Sequence, residues 1–133
     1  MLVLEHGEKY WDQKWREVIY MLYSGRCAKC RSTFNLSAHH MIKRRYMQYR
    51  WEPINGALLC LHCHDQAHHP EKSQFMDWFK TQLMSEWFFI NEPQAMRGKI
   101  TKAELDIVCQ KLADIHQELK NDTVREMWAT TEG

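Results

Sequence analysis

The sequence predicts an α+β fold that is mostly helical, with a small two-strand core flanked by N- and C-terminal helices. Apolar residues recur at helical spacing before residue 24 and after residue 70. The segment between them instead carries two short strand-like runs and most of the cysteines and histidines. A length of 133 residues and a hydrophobic content of 44% favour a single domain, residues 1–133, with a modest core.

The N-terminal helix is predicted over residues 8–23. Its apolar face carries residues that recur at intervals of three and four, namely Trp11, Trp15, Val18, Ile19 and Leu22. Charged residues, Asp12 among them, occupy the remaining positions and are expected to face solvent. Ser24 and Gly25 favour a turn, so we expect the helix to end there.

Residues 24–70 are predicted to contain two strands, a loop and a short helix. Phe34–His39 alternates between apolar and polar residues, and Ala57–Leu59 is a short apolar run that suits a second strand. Between them, Met41–Trp51 is basic and aromatic and is expected to be a loop. Cys60–His68 suits a helix, which Pro70 would end.

Residues 71–120 are predicted to form a helical scaffold, and residues 121–133 a tail that frays. The first helix begins at Ser73, is broken at Asn91–Pro93, and carries on one face Phe75, Phe79, Leu83 and Trp87. The second helix begins at a capping box formed by Thr101 and Glu104. Its apolar residues form a seam of Leu105, Val108, Leu112, Ile115 and Leu119. We expect the seam to pack on the first helix in a monomer, with a homodimer as the alternative.

Charge and hydropathy restrict the partners only loosely. The formal net charge of +1 neither requires nor excludes nucleic acid, because local clustering of cations decides the field at a site. The sequence has no apolar stretch of the length that crosses a membrane, about 18 residues, and its first residues lack a signal-peptide core. We therefore expect a cytoplasmic protein with reduced cysteines and no membrane partner.

Four of the five cysteines form two CxxC pairs, Cys27 with Cys30 and Cys60 with Cys63. Two intervening residues let both thiolates of a pair reach one ion, and two such pairs complete a tetrahedral four-cysteine zinc site. The sequence therefore predicts a structural Zn²⁺ that holds the core together. Incidental cysteine pairs or a redox CxxC are the alternatives, and His62 or His64 could replace one cysteine. Cys109 lies on an apolar helical face and is expected to be buried.

Six of the eight histidines lie between His39 and His69. Adjacent strand residues point to opposite sides, so His39 and His40 are expected to divide metal binding and contact with a phosphate between them. His64 and His68 are four residues apart, which places both imidazoles on one face of a helix. A site of His39, His64 and His68 leaves coordination positions open, as in catalytic metal sites.

These residues together resemble the HNH endonuclease family, the ββα-metal nucleases. The resemblance covers roughly residues 20–79 and rests on the two CxxC pairs, Ala38-His39-His40, Asn55-Gly-Ala-Leu-Leu-Cys60, Cys63-His64 and His68. It implies that His39, His64 and His68 bind a divalent ion and that His40 is the general base. It further implies that Asn55 braces the loop and orients that base.

The function expected from this resemblance is hydrolysis of phosphodiester bonds in DNA, the chemistry found among phage, restriction and mobile-element enzymes. One divalent ion is implied beside the structural zinc. The candidates are Mg²⁺, Mn²⁺, Ni²⁺, Co²⁺ and Zn²⁺, and an all-histidine ligand set suits Mg²⁺ least. A near-neutral histidine that takes a proton from water would suit this chemistry on physical grounds as well.

The segment between the predicted strands is expected to contact DNA. It carries three aromatic residues and the four cations Lys43, Arg44, Arg45 and Arg50. Cations pair with phosphates and aromatic faces stack on bases, so we expect contacts of low sequence specificity. A catalytically silent zinc module that only binds nucleic acid or protein is the alternative function. A redox or metal-storage protein is a weaker one, because it leaves His40 and Asn55 unexplained.

Overall fold

A computed structural model of the chain describes residues 2–69, 78–79, 85–95 and 98–132. The elements are α1 (Leu2–Leu22), β1 (Leu36–His40), α2 (Met47–Arg50), a 3-10 turn (Pro53–Asn55), β2 (Gly56–Cys60), α3 (Leu61–His68), α4 (Ser85–Ala95) and α5 (Lys102–Glu132). This arrangement confirms the predicted fold class, because helices dominate and β1 and β2 form a small antiparallel sheet. None of the helices in these ranges has the length and apolarity needed to cross a membrane.

Helix α1 begins earlier than predicted and is kinked at Gly7, whose φ of 75° lies in the left-handed region. Trp11 and Trp15 on its apolar face are buried as predicted, as are Val18 and Ile19. Leu22 is 46% exposed, contrary to the prediction, because the helix ends there and the chain turns away.

The two strands pair in a register that sets His39 opposite Ala57 and His40 opposite Gly56. All five residues of β2 are buried, since α1 covers one face of the hairpin and α3 contacts it as well. A Cβ atom on Gly56 would collide with the Ile19 side chain, so this position admits α1 only because it has no side chain. The sheet is thereby held close beneath α1.

Between the strands the expected loop contains one turn of helix, α2, and the 3-10 turn. The loop prediction over Met41–Trp51 is therefore wrong for its second half. Trp51 is fully buried in the core cluster beneath α1, and this anchor explains why the segment folds back on the body of the protein.

Helix α5 packs on α1, which was not predicted. Most of the predicted partner, residues 75–87, lies outside the described residues. Cys109 and Leu112 are buried in one cluster with Trp11 and Trp15. The predicted capping box at Thr101 is confirmed, since the Glu104 amide donates to the Thr101 hydroxyl at 3.2 Å. The tail prediction is wrong, because α5 continues through residue 132 as one helix.

The other C-terminal predictions are tested only in part. Ser73, Phe75 and Leu83 lie outside the described residues. Phe79 is buried as predicted. The predicted break at Asn91–Pro93 is wrong, because α4 runs through Pro93 and ends at Ala95. A proline there removes one hydrogen bond near the helix end, where few further bonds remain to be disrupted.

Candidate metal centres and cleft

The four predicted zinc-ligating cysteines lie close together, where the turn after α1 meets the junction of β2 and α3. Their sulfur atoms all lie within 4.8 Å of one another, and Cys30 Sγ is 3.5 Å from Cys60 Sγ. The first pair lies in a tight turn, in which the amide of Arg31 donates to the Cys27 carbonyl at 3.0 Å. The second pair spans the junction of β2 and α3, where Cys60 precedes the first helical residue.

The spacing of the four sulfur atoms fits an ion with tetrahedral coordination. Four sulfurs at about 2.3 Å from a zinc ion would be about 3.8 Å apart, close to the spacing of these thiols. Burial raises the pKa of Cys27, but hydrogen bonds from the backbone of Cys30, Cys60 and Lys29 outweigh it and lower this pKa to about 7. Burial and the neighbouring thiols Cys60 and Cys27 raise the pKa of Cys63. Crowded thiolates repel each other without a cation, and this four-cysteine group could hold a structural metal such as zinc.

His62 and His64 do not join the cysteine group, although either could have replaced a thiolate on spacing alone. His62 is exposed, and its Nε2 lies 2.9 Å from the Gln66 amide nitrogen on the same helix. Cys109 is fully buried on α5, as predicted for an apolar residue.

A second group is formed by His39 of β1 and by His64 and His68 of α3. One ring nitrogen from each lies within 4.8 Å of the others, and the two Nε2 atoms on α3 are 3.1 Å apart. The cysteine pair at Cys60 and Cys63 fixes where α3 begins, and so fixes which face of α3 meets β1. The predicted three-histidine set is therefore brought together in space.

The spacing of these nitrogens also fits one ion. Two nitrogens at about 2.1 Å from a metal would be about 3.0 Å apart in adjacent octahedral positions and about 3.4 Å apart in tetrahedral ones. Burial, together with the neighbouring imidazoles of His64 and His68, lowers the pKa of His39 to about 3. Neutral imidazoles are the form that coordinates a metal. The hydroxyl of Ser37 lies 2.9 Å from Nδ1 of His64, on the far side of that ring.

His40 points away from this group, as the alternation along a strand requires. Its ring stacks on the indole of Trp15, with centroids 3.8 Å apart and planes 7° from parallel. Its Nε2 donates a hydrogen bond of 2.9 Å to the Arg50 carbonyl, so Nδ1 is the nitrogen that retains a lone pair. Burial lowers the pKa of His40 to about 4, although the Arg50 carbonyl raises it. The ring is thus held in one orientation and one tautomer.

Asn55 is fully buried and joins the two ends of the segment between the strands. Its Oδ1 accepts from the Ile42 amide at 2.6 Å, and its Nδ2 donates to the carbonyls of Ile42 and Tyr49 at 3.0 and 2.9 Å. It therefore links the start of that segment, close to where the chain leaves His40, to α2.

The histidines open into a cleft of about 700 Å³. Its walls include His39, His40, His64 and His68, the cations Lys43 and Arg44, and Phe88 and Glu92 of α4. Lys43, Arg44 and Arg45 are exposed, so three of the four predicted cations are available to a ligand. Arg45 lies over the ring of its neighbour Tyr46, at 5.0 Å from the centroid.

Arg50, the fourth predicted cation, faces the interior of the protein. The prediction that it contacts DNA is therefore wrong. Its side chain forms two hydrogen bonds with the Asp12 carboxylate, at 2.9 and 2.7 Å, and is 10% exposed. The indole of Trp51 donates to the same carboxylate at 2.9 Å. An arginine fixed in this way links α1 to the segment that carries the exposed cations.

Sequence reasoning placed Asp12 on the solvent face of α1, yet it is 8% exposed. Burial would raise the pKa of its carboxyl, but hydrogen bonds from Arg50 and Trp51 and the charge of Arg50 outweigh burial and lower this pKa. Its spacing from Trp15 and Ile19, at three and seven residues, places it on the apolar stripe and could have signalled burial.

The roles of Trp15, Ser37 and the α4 residues in the cleft walls were not predicted. No local pattern pairs Trp15 with His40, because the contact depends on how α1 crosses the hairpin. No known protein family, curated protein or solved structure matches this chain when sequences and folds are compared.

Proposed function

We propose that this chain is a metal-dependent endonuclease that hydrolyses phosphodiester bonds in DNA. The observation that carries the proposal is the placement of two chemically different histidine sites on consecutive residues of β1. His39 joins the three-histidine group, and His40 is held separately, yet both line one cleft with Lys43 and Arg44. The resemblance of these residues to HNH endonucleases supports the same assignment.

His40 is the proposed general base. The carbonyl of Arg50 holds a hydrogen on Nε2, so Nδ1 is free to accept a proton from an attacking water molecule. Stacking on Trp15 holds the ring in one orientation. The imidazolium formed by proton transfer keeps its hydrogen bond to the Arg50 carbonyl, which stabilises the new charge.

His39, His64 and His68 are proposed to hold the divalent ion. Such an ion would supply positive charge to the phosphate and to the departing oxygen during hydrolysis. Three protein ligands leave coordination positions free, in contrast with the four-cysteine group, which is closed. Imidazole ligands favour Mn²⁺, Co²⁺, Ni²⁺ or Zn²⁺ over Mg²⁺, which prefers oxygen.

Asn55 is proposed to stabilise this site through hydrogen bonds to the neighbouring backbone. Its bonds to Ile42 and Tyr49 fix the segment that carries Lys43 and Arg44 beside the cleft. These two cations, with Arg45, are proposed to neutralise phosphates flanking the cut. Phosphate contacts carry no sequence information by themselves, so we expect weak sequence preference.

Plasmid cleavage tests the proposal. The zinc-loaded protein is incubated with supercoiled plasmid and Mn²⁺, beside His40→Ala and the control His62→Ala, which alters an exposed histidine on α3. We expect wild type and His62→Ala to cut, and His40→Ala to be slower by about 100-fold or more. Intact supercoiled plasmid that is nevertheless bound by wild type, with each of the candidate ions, would instead identify a non-catalytic nucleic-acid-binding module.

A further inference from the structure

We propose that Ser37 is a positioning residue that aims Nε2 of His64 at the divalent ion through a hydrogen bond at the other ring nitrogen, Nδ1. This inference rests on the proposed function, since it concerns the three-histidine group as a metal site. Ser37 lies on β1 two residues before His39, so both side chains leave the same side of the strand. That side faces α3.

The geometry assigns different tasks to the two nitrogens of His64. Nδ1 is 2.9 Å from the Ser37 hydroxyl, and Nε2 is 3.1 Å from Nε2 of His68. Only Nε2 therefore points into the group of three. Within the described part of the chain, the Ser37 contact is the one hydrogen bond that joins this group to a side chain outside it.

The short distance between the Nε2 atoms of His64 and His68 restricts where the hydrogens of the two imidazole rings can lie. Without an ion, a contact of 3.1 Å needs a hydrogen on one of the two nitrogens. With an ion, both nitrogens must present lone pairs, so the hydrogen on His64 must sit on Nδ1. The Ser37 hydroxyl can accept a hydrogen bond from that Nδ1–H, which holds the ring in the orientation that directs Nε2 into the group of three.

A hydroxyl in this position also fixes the rotation of the ring about its attachment to α3. Groups that orient a ligating histidine in this way usually change metal affinity by about 10- to 100-fold when removed. Ser37 is exposed, and water can partly replace its hydroxyl, so we expect a loss near the lower end, about tenfold.

Cobalt binding tests this inference without reference to cleavage. Protein that metal analysis shows to carry one zinc per chain is titrated with Co²⁺ alone, and the visible absorption of cobalt on nitrogen ligands reports the three-histidine group. Bands from thiolate-bound cobalt would reveal displacement of zinc and are expected to be absent. The variants are Ser37→Ala, Ser37→Thr, which keeps a hydroxyl, and Thr33→Ala, which removes an exposed hydroxyl elsewhere.

We expect Ser37→Ala to weaken the cobalt Kd about tenfold, Ser37→Thr to restore it, and Thr33→Ala to match wild type. An unchanged Kd in Ser37→Ala, or a threonine variant as weak as alanine, overturns the role of Ser37 and leaves the proposed nuclease intact. Absence of cobalt binding by wild type instead removes the three-histidine metal site, and the proposed function fails with it.

Discussion

Replacing Asp12 by alanine removes the carboxylate that pairs with buried Arg50 and is expected to lower the free energy of unfolding. The variant loses two hydrogen bonds to a guanidinium and a third from Trp51. Removing one partner of a buried ion pair costs about 3–5 kcal/mol, because the other charge is left without compensation. Glu8 lies 3.5 Å from Arg50 and is 60% exposed, so it compensates in part. We therefore expect the lower end, about 3 kcal/mol.

The double variant Asp12→Ala with Arg50→Met separates the charge from the packing, because position 12 is the same as in the single variant. If an uncompensated arginine causes the loss, the double variant is more stable than Asp12→Ala, since no buried charge remains. If the loss reflects packing alone, the double variant is no more stable than the single one.

Urea unfolding followed by tryptophan fluorescence, at saturating zinc, measures the change. Asp114→Ala is the control, because Asp114 is exposed and, among the described residues, bonds only to Gln110 one turn away on α5. We expect the control to lie within about 0.5 kcal/mol of wild type. A loss below about 1 kcal/mol for Asp12→Ala would refute the role assigned to this ion pair.

The ion pair of Asp12 and Arg50 also predicts how the stability loss in Asp12→Ala depends on pH. The pKa of Asp12 is lowered from its ordinary value of 3.8 in the folded protein, so its contribution is fully present above that value. The contribution falls as the pH drops through the folded pKa. We therefore expect a constant difference between wild type and Asp12→Ala from pH 8 to pH 5, and a difference that shrinks only near and below 3.8. A difference that already shrinks between pH 7 and pH 6 would assign the effect to another group.

Two further predictions concern the cysteine group and the loop brace. Cys30→Ser is expected to lose tightly held zinc and to melt at a lower temperature, whereas the control Cys109→Ala is expected to keep its zinc. Metal analysis of the purified proteins measures the zinc content. A full zinc content in Cys30→Ser would contradict the prediction. Asn55→Ala removes three hydrogen bonds in the interior, one to the Ile42 amide and two to the Ile42 and Tyr49 carbonyls, at a cost of about 2–4 kcal/mol in urea unfolding. Asn121→Ala, an exposed control on α5, should change little, and equal losses in the two variants would rule out a special role for Asn55.

The candidate ligand groups were predictable because their spacing is local. Two residues between cysteines and three between His64 and His68 determine which side chains can share an ion, whatever the rest of the fold does. The alternation of β1 likewise separates His39 from His40. Only the pairing of β1 with β2 and α3 was needed to bring these local sets together.

Contacts that join distant parts of the chain were not predictable in the same way. An apolar stripe on α5 shows that one face is buried, but every apolar surface is an acceptable partner, so the stripe could not choose α1. Arg50 looked like its exposed neighbours Arg44 and Arg45, because charge alone does not reveal a partner 38 residues away. The stacking of Trp15 on His40 depends on the same crossing of α1 over the hairpin.

The four-cysteine group also bears on the order in which the protein assembles. Cys30 and Cys60 lie at the two ends of the segment that contains β1 and the cleft cations Lys43 and Arg44. Their sulfur atoms are 3.5 Å apart. Closing a flexible loop of this length costs about 3 kcal/mol of chain entropy. An ion bound by both pairs before the strands pair would offset that cost and would convert a distant pairing into a short-range one. During synthesis the cleft would then wait for Cys63 to emerge, and the local supply of zinc would set how soon it forms.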